Sequence, residues 1–292
     1  MTIFLQQLIQ GLALGTIYGL VAIGYVLVYN AWGVLNFAQG EMVMVGAFAV
    51  LVAYDPRFLG LPMYLAIPLA IVICIVVGYI VEVLAFRPLI NASNQRRLIA
   101  TIGTGIVLRN LIQQFFGADA YKFPTIFGDR PFKVGELTLV PQNLWNLVIG
   151  IGLLVALMLF LKNTRMGKAM RATAQDREAA RLMGINVKRC MSITFIMSVV
   201  LGGIAGILLS PVYHVIASLG ETFGNKGFAA ALLGSITSNT GSMIGGIALG
   251  IMEGLSAMIS SSWQSAIAFL VLFLVLVFKP SGIMGTKEER KV

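Results

Sequence analysis

The chain has 292 residues, 58% of them hydrophobic and only 11% charged, with a mean hydropathy of +0.89. An ordinary soluble domain is about one-quarter charged, so 21 Lys+Arg and 12 Asp+Glu cannot clothe a globule of this size in polar side chains. A soluble globule is excluded, a disordered chain is too apolar to stay open, and two cysteines make no disulfide framework. What remains is an all-α polytopic membrane protein. Roughly 169 hydrophobic residues (0.58 × 292) are enough for about eight or nine spans at about 20 residues each.

The opening MTIFLQQLIQ carries no Lys or Arg. That argues against a cleaved secretory signal, whose start is basic, and for a permanent first span with the N-terminus outside. Spans are expected over residues 8–29, 41–53, 63–86, 98–116, 144–161, 191–212, 228–238, 243–259 and 263–278. Nine crossings carry the C-terminus to the cytoplasm, and the charges agree. Arg87, Arg96 and Arg97, the eight basic residues from Lys162 to Arg189, and Lys279, Lys287, Arg290 and Lys291 all fall inside. The stretch 117–142 balances Asp119, Asp129 and Glu136 against Lys122, Arg130 and Lys133 and falls outside. The basicity is a topology signal and calls for no nucleic acid.

Two of these spans are short. Residues 41–53 follow the polar interruption Asn36-Phe37-Ala38-Gln39-Gly40, and residues 228–238 follow Gly224-Asn225-Lys226-Gly227. A dozen residues make about 18 Å of helix, less than a full crossing. Short, Gly-interrupted segments in matching halves point to a transporter's substrate route, although ordinary short or tilted helices give the same pattern. Glycines also recur every fourth residue at Gly11, Gly15 and Gly19, at Gly246, Gly250 and Gly254, and at Gly202 and Gly206. Such stripes let helix backbones approach closely, and their repetition hints at an internal duplication.

Chemistry is sparse. There is no GxxxxGK[ST] phosphate loop and no HExxH, and the lone His214 ends a span, where a structural or interfacial role suits it. No metal, cofactor or catalytic constellation is expected in this chain. Ionisable residues within apolar segments are Glu41, Glu82, Arg109 and Glu253. Glu41 opens a helix, where the dipole favours a carboxylate. Glu82 lies close enough to Arg87 to meet it or to snorkel. Arg109 and Glu253 are more central and are expected to pair with each other.

The sharpest pattern lies in the loop 162–190. Asp176 suits an N-cap and Gly184 a C′ position, enclosing REAARLM. Ala179, Ala180, Leu182 and Met183 would form its apolar side, with Arg177, Glu178 and Arg181 in water. Before it, Met166, Ala169, Met170 and Thr173 fall at i, i+3, i+4 and i+7. Two short amphipathic helices at a membrane surface suit a protein contact, and a basic loop that binds lipid headgroups is the other reading.

Glu178-Ala179-Ala180 followed by Gly184 resembles the EAA---G coupling loop of ABC-importer permeases. The wider form, from Arg171 and Ala172 through Asp176 and Ala180 to Gly184-Ile185, resembles the branched-chain amino-acid branch. Gly15-Thr16-Ile17-Tyr18-Gly19-Leu20, then Val34-Leu35-Asn36-Phe37-Ala38-Gln39-Gly40-Glu41, resemble that branch's N-terminal signature, with Gln39 where the family usually shows His. Phe278-Lys279-Pro280-Ser281-Gly282-Ile283-Met284-Gly285 resembles its end, with Lys279 in place of Arg.

The resemblance implies a type II ABC-importer permease, one transmembrane domain over residues 1–292, in a bacterial inner membrane. It implies a second homologous permease subunit, two cytosolic ABC ATPase subunits that hold ATP and Mg, and an extracytoplasmic substrate-binding protein. Arg171, Asp176, Glu178, Ala179, Ala180 and Gly184 would couple to the ATPase. The expected path takes Gly15, Thr16, Tyr18, Asn36, Gln39 and Glu41 on one side, and Ser235 and Thr237 of the second short helix opposite, besides contact with membrane lipid. Related urea or short-chain amide importers share this architecture. An ion-coupled secondary transporter is the rival of another class, and it would make Glu253 essential.

Overall fold

Each of the nine expected spans falls on a helix in the computed structural model, which describes residues 2–90, 92–125, 132–134, 137–260 and 263–285. In chain order the longer helices are α1 (Thr2–Trp32), α2 (Gln39–Tyr54), α3 (Met63–Val81), α4 (Asn94–Phe116), α5 (Pro141–Asn163), α8 (Val187–Leu209), α9 (Leu219–Gly234), α10 (Asn239–Ile259) and α11 (Gln264–Phe278). Two short helices, α6 (Arg165–Gln175) and α7 (Arg177–Leu182), fill the patterned loop, and a small hairpin pairs β1 (Phe132–Val134) with β2 (Leu137–Leu139). Of the charges that suggested the topology, Asp129, Arg130, Glu136, Lys287, Arg290 and Lys291 lie outside the described residues. Helices α1, α3, α5, α8 and α10 are long and apolar enough to cross a bilayer, and α2 and α11 are shorter apolar helices.

The bundle is built around α1, which is buried over nearly all of its apolar length. The glycine stripes explain how. Those of α1 and α10 face each other, so that a Cβ on Gly250 would lie 2.3 Å from Gly15 Cα and one on Gly246 would lie 2.4 Å from Gly19 Cα. Only glycine permits this approach, and dispersion between the two backbones is the gain. The α8 glycines serve α2 in the same way: a Cβ on Gly206 would fall 1.9 Å from Val43 O. Helix α3 turns the small residues Ala66, Ala70, Cys74 and Gly78 inward, Cys74 and Gly78 touching α8, and leaves Val72, Val76, Ile80 and Leu84 exposed.

One boundary differs substantially from the sequence expectation. Helix α9 begins at residue 219, not 228, and ends before Ser235. Gly224-Asn225-Lys226-Gly227 sits in its middle instead of before it. These glycines are packing surfaces: a Cβ on Gly224 would lie 2.6 Å from Gly40 Cα, and one on Gly227 would lie 2.4 Å from the Val21 side chain. The closing segment then covers the end of α9, where Ile283 N donates to Leu233 O (2.8 Å) and Met284 N to Gly234 O (2.9 Å). Carbonyls that the helix terminus would leave orphaned are thereby paired.

Candidate translocation path and docking hairpin

Helices α2 and α9 have 16 residues each, about 24 Å, and begin alike. Each carries Gly-Glu at its second and third helical positions, Gly40-Glu41 and Gly220-Glu221. They run in opposite directions and cross at these N-termini, where a Cβ on Gly40 would lie 2.6 Å from Gly220 O. Two helix N-termini meeting inside the bundle place two positive dipole ends together, and a carboxylate in each first turn compensates them. Arg109 of α4 joins the two carboxylates: its Nη2 donates to Glu41 Oε1, and its Nη1 donates to Glu221 Oε2 at 2.7 Å. The Glu41 side chain is 5% exposed, Arg109 30% and Glu221 55%, so the cluster grades from interior to open surface.

Helix α4 also pins the turn that leads into α2. Arg97 Nη1 donates to Trp32 O (2.8 Å), and Thr101 Oγ1 accepts from Phe37 N (3.2 Å). From Arg109 and Glu221 an exposed strip continues through Thr222 and Asn225 of α9 to Phe37, whose ring packs on Phe228 at 5.6 Å. Gly103, Asn110, Gln113 and Gln114 are exposed on α4. Within a bilayer such polar groups require a wetted or protein-covered surface, since lipid tails offer no hydrogen bonds.

A second charged cluster lies deeper. Lys226 Nζ pairs with Glu253 Oε1, Tyr18 Oη donates to Glu253 Oε2 (2.6 Å), and Ser265 Oγ donates to Glu253 Oε1 (3.2 Å). The lysine also lies over the Tyr18 and Phe223 rings at 5.6 and 5.8 Å. The expected Arg109–Glu253 pair does not form, because each finds a closer partner contributed by α9. Glu82 does meet Arg87, with a 3.0 Å bond from Arg87 Nε. Among the described residues no group of three His, Cys, Asp or Glu could hold a metal ion.

The proposed path residues fall into different surroundings. Gly15 packs on the α10 backbone, and Thr16 donates to Ala13 O (2.8 Å). Gln39 is locked to α8, its Nε2 on Ser198 O (2.9 Å) and its Oε1 accepting from Ser198 Oγ (2.7 Å). Asn36 Oδ1 accepts from Ala38 N (3.1 Å), which tightens the turn before α2. Tyr18 belongs to the Lys226 cluster and Glu41 to the Arg109 cluster. Ser235 is buried and ends α9, with its Oγ 3.2 Å from Thr237 Oγ1. Thr237 opens onto a cavity of about 390 Å³ shared with Asn30, Asn239, Thr194 and Arg171. The sequence reading does not single out Glu221 or Thr222, and it takes Asn225 and Lys226 as an interruption before the helix. The repeated Gly-Glu pair was the available signal.

The α6–α7 hairpin is capped at every turn. Thr164 Oγ1 accepts from Gly167 N (2.9 Å), and Asp176 Oδ1 accepts from Glu178 N (2.8 Å) and Ala179 N (3.0 Å). At the far end Gly184 adopts φ +81°, with Gly184 N on Arg181 O and Ile185 N on Ala180 O, both at 3.0 Å. This is the paired-bond Schellman ending that glycine favours. In α6, Met170 and Thr173 are buried as the spacing predicts. In α7 only Ala180 is buried, while Leu182 and Met183 stand 89% and 83% exposed. Arg177 turns inward instead, its Nη2 on Ala31 O at 2.8 Å. Burial, and secondarily the charge of Arg97, lower its pKa. Arg171, Glu178 and Ala179 are exposed.

Residues 7–276 match the family described as "Branched-chain amino acid transport system / permease component". The chain is 36% identical to the high-affinity branched-chain amino acid transport system permease protein LivH of Escherichia coli, covering 99% of this chain and 98% of that one. It is 35% identical to the corresponding permease BraD of Pseudomonas aeruginosa, with the same coverage. Among solved structures, PsaBC from Streptococcus pneumoniae in complex with Fab shares the fold, with a TM-score of 0.51, 13% identity, and coverage of 95% of this chain and 91% of that one. By the family match over residues 7–276 and the 36% identity along its length, the chain belongs to the branched-chain amino acid transport permease family.

Proposed function

We propose that the chain is the permease subunit of an ATP-driven importer of branched-chain amino acids. It pairs with a second related permease, docks two cytosolic ATPase subunits, and receives substrate from an extracytoplasmic binding protein. The observation that carries this reading is the 36% identity to a high-affinity branched-chain amino acid permease along the whole chain. The chain itself performs no bond chemistry, and ATP and Mg belong to the partner ATPases.

The α6–α7 hairpin would be the coupling element, with the basic 162–190 loop in the cytoplasm and the N-terminus outside. Apolar Leu182 and Met183, held outward by the Asp176 and Gly184 caps, support a protein contact over a merely topogenic loop. The path would run along the polar strip of α4 and α9, closed on its other side by the second permease. Arg109, Glu221, Thr222 and Asn225 would line it, and Thr237 would stand at its inner end. Glu41, Asn36, Gln39, Tyr18, Gly15, Thr16 and Ser235 would support it from behind.

Proteoliposomes holding the complete complex provide the test. ATP-dependent uptake of labelled leucine should fall at least about tenfold with Leu182→Asp combined with Met183→Asp, which desolvates charge at the contact, while the permease pair still assembles. Normal uptake by that variant would end the coupling assignment. Uptake driven by an ion gradient without ATPases, and abolished by Glu253→Gln, would favour a secondary transporter. Preferential uptake of urea would favour the amide-importer branch.

A further inference from the structure

At the α6–α7 end of the bundle a cavity of about 580 Å³ is lined by Arg87, Lys188 and Arg189 together with Trp32, Asn186 and Ser192. Glu82 is the only acid in its wall, and it is already committed: Arg87 Nε and Nη2 reach its two oxygens at 3.0 and 3.3 Å, and Ser192 Oγ donates to it. Among the described residues neither Lys188 nor Arg189 enters an ion pair. Three cations against one carboxylate leave the cavity with an uncompensated positive charge.

The surroundings say what neutralises it. Arg87 stacks over Tyr79, its Cζ 5.3 Å from the ring centroid, and Tyr79 is exposed beside Ile80. Leading away from the cavity, Val72, Val76, Ile80 and Leu84 form an exposed apolar row at four-residue spacing, 52%, 52%, 48% and 72% open. Twelve helical residues cover about 18 Å, close to the depth of one hydrocarbon leaflet, about 15 Å. A cationic cavity at the head of a leaflet-long apolar track fits one ligand class: a phospholipid with an anionic headgroup. The five-residue π-helical segment Glu82–Phe86 sits where track and cavity join, turning Glu82 inward as Leu84 faces out.

We propose that this is an anionic phospholipid site, with the headgroup phosphate between Arg87, Lys188 and Arg189 and an acyl chain along Val72, Val76, Ile80 and Leu84. Asn186, in the cavity wall, follows Gly184 by two residues, so the bound headgroup abuts the end of the docking hairpin. The site depends on the orientation proposed above only for the choice of leaflet, which would be the cytoplasmic one.

The test is native mass spectrometry of the purified full-length chain in detergent with equal phosphatidylglycerol and phosphatidylcholine, which reads lipid retention independently of transport or topology. Phosphatidylglycerol should be retained in preference. With each cation near an anionic headgroup worth roughly five-fold in affinity, Lys188→Gln with Arg189→Gln should lower its retention about 30-fold. Lys162→Gln, at the exposed end of α5, should not. Leu84→Gln should weaken lipid but leave any inorganic phosphate binding unchanged. Equal retention of both lipids, or unchanged retention by the double variant at a wild-type melting temperature, would overturn the proposal. So would phosphate alone binding with the same dependence on Lys188 and Arg189 while Leu84→Gln changes nothing, since the ligand would then be a free anion.

Discussion

Helices α2 and α9 start from the same Gly-Glu pattern and end in opposite circumstances. Nearly every residue of α2 is buried, enclosed by α1, α3, α8 and α9. Helix α9 buries its glycine and alanine face but opens Glu221, Thr222 and Asn225 to the outside of the chain. One helix is scaffold and the other presents a polar face. Arg109 joins them, so the buried carboxylate of α2 and the open one of α9 share a single cation. A symmetric start need not give symmetric roles: what surrounds each helix decides.

The largest effect is expected where α9 is buried. Glu253→Ala strands Lys226 without its carboxylate and should cost about 3–5 kcal/mol, visible as lost yield and a lower melting temperature in detergent. Replacing both partners, Lys226→Met with Glu253→Leu, should recover most of that loss. If the double replacement is as damaging as the single one, the cluster does more than neutralise itself.

Next comes the crossing. Gly40→Val drives a side chain into Gly220 and Gly224 and should destabilise by roughly 1–3 kcal/mol or more, whereas Gly103→Val, on open α4 surface, should be tolerated. A milder effect belongs to the hairpin: Asp176→Ala removes two capping bonds and should cost about 1 kcal/mol, read by faster proteolysis of the 162–190 loop. The smallest stability change, within about 0.5 kcal/mol, is expected for Glu221→Gln on the open face. That variant should nevertheless slow leucine uptake, and unaltered uptake would return α9 to the same scaffolding role as α2.

Features with a local cause were legible in the sequence. The Asp176 and Gly184 caps depend on a few neighbouring residues, and the fourfold glycine spacing of α1 and α10 announces a contact although not its partner. The helical setting of Lys226 was not legible. Gly224-Asn225-Lys226-Gly227 has the composition of a loop, and only a glycine neighbour across the crossing makes it helix. Arg109 stood out as a costly charge, but its partners Glu41 and Glu221 are 68 and 112 positions away, and pairing over such distances is settled by how helices pack. The inward turn of Arg177 has the same origin: the end of α1 offers Ala31 O, which no helical wheel of α7 reveals.

The head-on meeting of α2 and α9 also orders the protein's birth. Glu41 emerges 68 residues before Arg109, and Gly40 precedes Gly220 by 180 residues (220 − 40). At about 5–20 residues per second of synthesis, α2 waits roughly 3–14 s for its counter-charge and about 9–36 s for the helix that closes its seat. During that interval α2 carries a carboxylate that lipid tails cannot hydrogen-bond. The crossing that seats α2 is complete only when the last third of the chain arrives.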